Sequence, residues 1–374
     1  MSSLQLIVTL GAVIVVCGLA SRRLGVANPV LLLVAGILLG FAPSLRAVHL
    51  PPELMLLVFL PALLYWESLT TSLREIRANL RGVVLTSTLL VVATAAAVAA
   101  TAHALGLAWG PAWVLGAAVA PTDATAVAAL ARMLPRRNVT MLRAESLIND
   151  GTALVVYGVA VGVTVGEQTL SVGHVSWLLV LAYGGGIAVG ALLAWVGAQV
   201  RRRITDPLIG NTVILLVPLT AYLLAERIEA SGVLAVVVCG LAMSQVAPRI
   251  SRAATRQMTT AFWSLATYLL NATLFVLVGI EAQSAVRAVE IDPLTAVIGI
   301  VVVWLVILVV RFAFLLVAAY TIRMIDRRPS QLLRRVTNRS RVVSTMAGFR
   351  GAVSLAVALS VPTTLSSGQP FPDR

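Results

Sequence analysis

From Pro293 to Tyr320 the chain reads PLTAVIGIVVVWLVILVVRFAFLLVAAY, an apolar run broken by one charge, Arg311. A helix needs about 20 such residues to cross the roughly 30 Å hydrocarbon core of a bilayer. Runs of this kind recur along the whole chain. Hydrophobic residues make up 59% of it and charged residues only 11%, against about a quarter charged in an average soluble chain. This excludes a soluble domain and predicts an all-α polytopic membrane protein. The first run, LQLIVTLGAVIVVCGLA, has no basic residue ahead of it and no cleavage-like site after it. It reads as a span and not as a secretory signal.

Apolar runs between polar breaks give twelve segments, near 4–20, 27–41, 53–71, 82–105, 111–131, 146–166, 176–200, 207–226, 232–248, 261–280, 293–320 and 346–365. The net charge of +13 comes entirely from arginine. Most of those arginines cluster in every second loop: Arg22 and Arg23; Arg74, Arg77 and Arg81; Arg132, Arg136, Arg137 and Arg143; Arg201 to Arg203; Arg249, Arg252 and Arg256; and the stretch from Arg323 to Arg341. The positive-inside rule makes these loops cytoplasmic and places the N-terminus outside. The basic charge is thus a signature of topology in the cell membrane, with lipid as the partner and no nucleic acid. Cys17 and Cys239 lie inside apolar runs, and His49, His103 and His174 are scattered near loops. Neither a disulfide framework nor a resident metal or cofactor is expected.

Polar residues inside three segments carry the functional reading. The fifth contains APTDATAV. Pro121 lacks an N–H and clashes with the preceding turn, so the helix should break near Ala120. Thr122 can then cap a second half-helix with Asp123 in its first turn. A break at mid-depth is tolerated only where it lines a cavity or is buried in protein. The positive end of the half-helix favours the Asp123 carboxylate, and through it a bound cation. The sixth segment contains ESLINDGTAL. Residues four apart share a helix face, so Ser146 and Asp150 line one face while Glu145 and Asn149 line the adjacent one. Gly151 and Thr152 follow, allowing another backbone close approach. Carboxylates, an amide and a hydroxyl form a hard oxygen site suited to a small cation. A charge at this depth needs a partner or a cavity, and two cations are available: Arg311, and Arg350 between Gly348 and Gly351 in the twelfth segment.

If the seventh segment is a linker, the fifth and twelfth occupy corresponding positions of two inverted halves, each with a break signal at Pro121 and Gly351. Paired interrupted helices are the best sequence pointer to a transporter's mid-membrane site. The symmetry calls for a thirteenth span, so about twelve of an expected thirteen are read here.

These motifs resemble those of the NhaP-like and NHE-like sodium/proton exchangers, within the monovalent cation:proton antiporters. APTDATAV is similar to their Asp-bearing crossed helix, ESLINDGTAL to their Asn-Asp hallmark, GFRGAVSLAVAL to their glycine-flanked arginine helix, and FLPALLYWESL to their third span. Ala124 follows Asp123 where the family often carries proline. The resemblance implies that Asp150 carries ion and proton, that Asp123, Ser146 and Thr122 complete a Na+ site, and that Asn149 supports it. It pairs Glu145 with Arg311, gives Arg350 a charge-balancing role, and implies a homodimer whose core slides in an elevator-like, alternating-access cycle. The corresponding domains are 1–81 and 207–292 for dimerisation, 82–166 and 293–374 for the core, and 167–206 for the linking span.

The expected activity is secondary antiport of Na+, with Li+, against H+, the proton and cation competing for Asp150. Exchange should be electroneutral, one for one. An amide at 149 binds no second proton, and the Arg311 guanidinium releases none. Oxygen ligands alone do not choose among Na+, Li+ and K+, so a K+/H+ antiporter of the same fold stays open. A channel favours rings of like residues. An enzyme fits worst, because Ser146 has no histidine or lysine near it in sequence.

Overall fold

The computed structural model describes residues 3–372 except 43–54, 79, 124–135, 167–171, 205, 251–252, 289–291, 326–337 and the single positions 347, 349, 363, 366 and 370. The described chain is built of helices: α1 (Ser3–Leu24), α2 (Asn28–Leu39), α3 (Leu60–Thr70), α4 (Leu73–Ala78), α5 (Leu80–Val84), α6 (Leu90–Ala104), α7 (Trp109–Val119), α8 (Arg136–Val165), α9 (Val172–Arg203), α10 (Pro207–Arg227), α11 (Gly232–Ile250), α12 (Ala253–Ala288), α13 (Pro293–Ile325), α14 (Asn338–Met346) and α15 (Ala352–Leu359). Single π turns precede α3 at Met55–Phe59 and join α5 to α6 at Leu85–Leu89. Among the described residues eight helices are long and apolar enough to cross a membrane, and three shorter apolar ones accompany them at Asn28–Leu39, Leu57–Thr70 and Trp109–Val119. The protein is a multi-pass membrane protein.

Helix starts follow local chemistry. Pro207 occupies the first turn of α10, where its missing N–H costs nothing. The Asp206 carboxylate accepts from the Leu208 and Ile209 amides at 2.7 and 3.4 Å. Several helices outrun the segments read from hydropathy. α8 and α12 have 30 and 36 residues, roughly 45 and 54 Å at 1.5 Å per residue, against a core of roughly 30 Å. Arg136, Arg137 and Arg143 therefore lie on α8, Arg201 to Arg203 on the last turn of α9, and Arg256 on α12, instead of in loops. Their helices are simply longer than a bilayer core requires.

The chain forms two compact units, one from Met1–Thr71 with Leu181–Pro293 and the other from Ser72–Val180 with Leu294–Arg374. In the first, α2 crosses α12 with Gly36 and Gly279 back to back, each without room for a methyl group. Residues Gly232–Val237 of α11 are buried throughout, and Tyr65, Trp66 and Phe262 pack around the fully buried Trp263. The second unit holds every residue singled out as a site candidate. Its α13 turns Val297, Ile300, Val301, Trp304 and Val309 outward, as a lipid-facing helix does, yet Arg311 on the same helix is 2% exposed.

Candidate functional site

Pro121 has the effect expected of it. α7 ends at Val119, and residues 121–123 carry no helix. The half-helix expected after Asp123 lies outside the described residues. A second interruption separates α14 from α15, where Gly348, Arg350 and Gly351 are non-helical.

The two interruptions hold each other. Arg350 donates from Nε to the Val119 carbonyl at 2.9 Å, and from Nη1 to the carbonyl of Gly348. The last carbonyls of a helix have no partner within it, and a cation there also opposes the negative end of the dipole. In return, the Asp123 side chain sits directly on Gly351, where any β-carbon would overlap the carboxylate. Glycine is required at 351 for that approach and not merely to break a helix.

Helix α8 brings the sixth-segment residues into the interior. Glu145, Ser146, Asn149 and Asp150 are all buried, at 5, 3, 1 and 4% exposure, and Thr152 with them. Glu145 is therefore not a solvent-exposed carboxylate. Its Oε1 meets Arg311 Nη1 at 2.7 Å. Arg311 also donates from Nε to the Ser344 carbonyl at 3.2 Å, while Gly348 lies against the guanidinium with its Cβ position only 2.9 Å from Arg311 Cδ and Nε. Asn149 Nδ2 donates to Thr122 Oγ1 at 2.8 Å, so α8 grips the loop that follows α7. Thr122 thus acts as an acceptor for Asn149 at the break.

Other contacts had weaker signals in the sequence. Tyr157 and Ser360 share a hydrogen bond of 3.1 Å that ties α8 to the end of α15; both are polar residues in apolar runs, which is the one trace they leave. The carbonyls of Val119 and Ser344 leave none, because every residue has a carbonyl.

In chemical terms the second unit combines a charge-neutral, buried Glu–Arg pair with a separate group of oxygens, buried at Thr122, Ser146 and Asp150 and half-buried at Asp123. Ser146 and Asp150 stand one turn apart on α8, and Thr122 and Asp123 stand at a break packed against that helix and α15. A buried ionisable group in a membrane protein is by default a candidate for function. An oxygen set of this kind suits a desolvated monovalent cation.

Comparison with known proteins agrees with this chemistry. The model of the family "Sodium/hydrogen exchanger, transmembrane" matches residues 10–373. An uncharacterized Na+/H+ exchanger of Mycobacterium bovis is 45% identical over 99% of this chain and 69% of its own length. The Na+/H+ antiporter ApNhaP of Aphanothece halophytica is 30% identical over 91% of this chain and 63% of its own. The chain thus spans about two thirds of the length of these relatives. The solved structure of the sodium/proton antiporter MjNhaP1 from Methanocaldococcus jannaschii superposes with a TM-score of 0.71 at 21% identity, covering 96% of this chain and 86% of that one, a likeness of fold. The chain is a transporter and not an enzyme: it belongs to the sodium/hydrogen exchanger family.

Proposed function

We infer that this protein exchanges Na+ for H+ at Asp150, with Ser146, Thr122 and Asp123 completing the cation site and Asn149 holding Thr122 in place. The observation that carries the reading is the burial of Asp150 on a helix gripped to the interrupted segment that bears Asp123. A buried carboxylate alternately needs a proton or a cation to be neutral, so the two compete for one position. Competition combined with alternating exposure is antiport. Li+ fits the same oxygen chemistry.

The cycle is electroneutral, one cation per proton. Glu145 is already neutralised by Arg311, and Asn149 offers no titrating group, which leaves Asp150 to load and unload. Spans five and twelve occupy matching places in an inverted repeat. The arginine-bearing helix ends face the cytoplasm and the N-terminus the outside. Segments 1–81 and 207–292 serve as the dimerisation scaffold of a homodimer, and segments 82–166 and 293–374 form the core that moves in an elevator-like step.

The test is proteoliposome exchange under an imposed pH gradient, with Na+, Li+ and K+ compared side by side. Asp150→Asn, nearly isosteric but unable to carry the proton, should abolish flux while the protein stays folded; wild-type flux from that variant removes Asp150 from the mechanism. With no pH gradient, an imposed voltage should drive no uphill Na+ movement. A voltage contributes about 2.3 kcal/mol per net charge at 100 mV, so any net charge in the cycle would be plain.

A further inference from the structure

Among the described residues of the second unit, two buried side-chain atoms have no hydrogen-bond partner, Asn149 Oδ1 and Arg311 Nη2. One accepts and the other donates. Arg311 has committed Nη1 to Glu145 and Nε to Ser344, leaving Nη2 as its remaining terminal nitrogen. Asn149 has committed Nδ2 to Thr122, leaving its oxygen. Glu145 and Asn149 are four residues apart on α8, hence on one face with Cβ atoms about 5–6 Å apart. Asn149 Oδ1 and Arg311 Nη2 do not bond each other directly, but one water held between the guanidinium and the amide would complete both. Buried polar groups are almost always paired, and pairing these two satisfies both at once.

We propose that Asn149 is a positioning residue that couples the Glu145–Arg311 pair to the 121–123 loop: its Oδ1 takes Arg311 Nη2 through one buried water, while its Nδ2 fixes Thr122. Cation affinity then depends on an ion pair that never touches the cation. This rests on the antiport reading above and adds to it a route by which Arg311 tunes the site. Glu145 needs only a positive charge opposite it, which lysine could supply. Asn149 needs the second terminal nitrogen, which lysine lacks.

The experiment is a double-mutant cycle read as the Na+ dependence of exchange in proteoliposomes. Arg311→Lys and Asn149→Ala should each raise the KM for Na+ by roughly tenfold, the scale of one hydrogen bond to a charged group. The maximal rate per folded protein should change much less. The double variant should raise KM by clearly less than the product of the two factors, because both break one connection. A merely structural role would lower the amount of active protein and leave KM alone. Multiplicative effects on KM, or an unchanged KM in Asn149→Ala, overturn the proposal. Should Arg311→Lys not fold, the same comparison is made in Glu145→Leu/Arg311→Met, which leaves no charge unpaired. There Asn149→Ala should cost less in KM than it does in the wild type, and an undiminished cost overturns the coupling. Absence of any pH-driven Na+ flux in the wild type removes the antiport reading itself, whereas wild-type flux with a multiplicative cycle removes only the coupling.

Discussion

Removing one member of the Glu145–Arg311 pair should be far more damaging than removing both. The charged atoms stand 2.7 Å apart with side-chain exposures of 6 and 3%. Even at an effective dielectric of about 20, their gross attraction is about 6 kcal/mol, most of it offset by the cost of taking both ions out of water. The net value of the intact pair is therefore small. Glu145→Gln leaves the guanidinium charged and buried with one neutral hydrogen bond in place of a carboxylate, a penalty of about 3–5 kcal/mol. That corresponds to roughly two to four powers of ten in the folded-to-unfolded ratio. Arg311→Met strands Glu145 at a similar cost. The double variant Glu145→Leu/Arg311→Met strands nothing, so it should recover most of the loss. The assay is denaturant titration in mixed micelles followed by tryptophan fluorescence, Trp113 being packed within the same unit. A double variant as unstable as the sum of the singles would mean that the two charges do not depend on each other, and the reasoning would be wrong.

Gly351→Ala should raise the KM for Na+, since the new methyl overlaps the Asp123 carboxylate and overpacking of this kind costs about 1–3 kcal/mol; Gly158→Ala, which meets nothing within 4 Å, is the control, and equal KM values for the two would contradict the placement. Asp123→Asn should weaken Na+ affinity with some exchange surviving, which the same flux measurement reports; an unaltered Na+ dependence would take Asp123 out of the site. Tyr157→Phe removes the 3.1 Å bond to Ser360 and should lower stability by about 0.5–1.5 kcal/mol, with no change in ion selectivity; a shift in the Na+/Li+ ratio would show that the tie reaches the site.

How much of this was legible in the sequence varied with the range of the interaction. The break after α7 was, because proline acts on its own turn. The shared faces of Ser146 with Asp150 and of Glu145 with Asn149 were, because helical spacing is fixed. The start of α8 at Arg136 was not, since hydropathy marks where the bilayer ends and a helix is free to run beyond it. Nor was the partner of Gly351. Sequence marked that glycine as a place where a helix could stop, whereas the structure gives it a neighbour, Asp123, from a distant segment. The pairing of Glu145 with Arg311 came from family resemblance, because nothing local at either residue names the other. The π turn at Leu85–Leu89 adds only one residue to one turn, too slight a phase shift to read in a run of uniformly apolar residues.

The hydrogen bond from Arg350 to the Val119 carbonyl joins residues 231 positions apart. A ribosome adding about 5–20 residues per second needs roughly ten to fifty seconds to make that intervening chain. Throughout this interval the end of α7 is already synthesised, and the guanidinium that will cover it is not. Until then the carbonyl must be kept company by water or by the insertion machinery. Completion of the proposed ion site thus waits for the last helices. Substitutions at Arg350 should surface first as poor yield and rapid degradation of newly made protein, before any defect in transport can be measured.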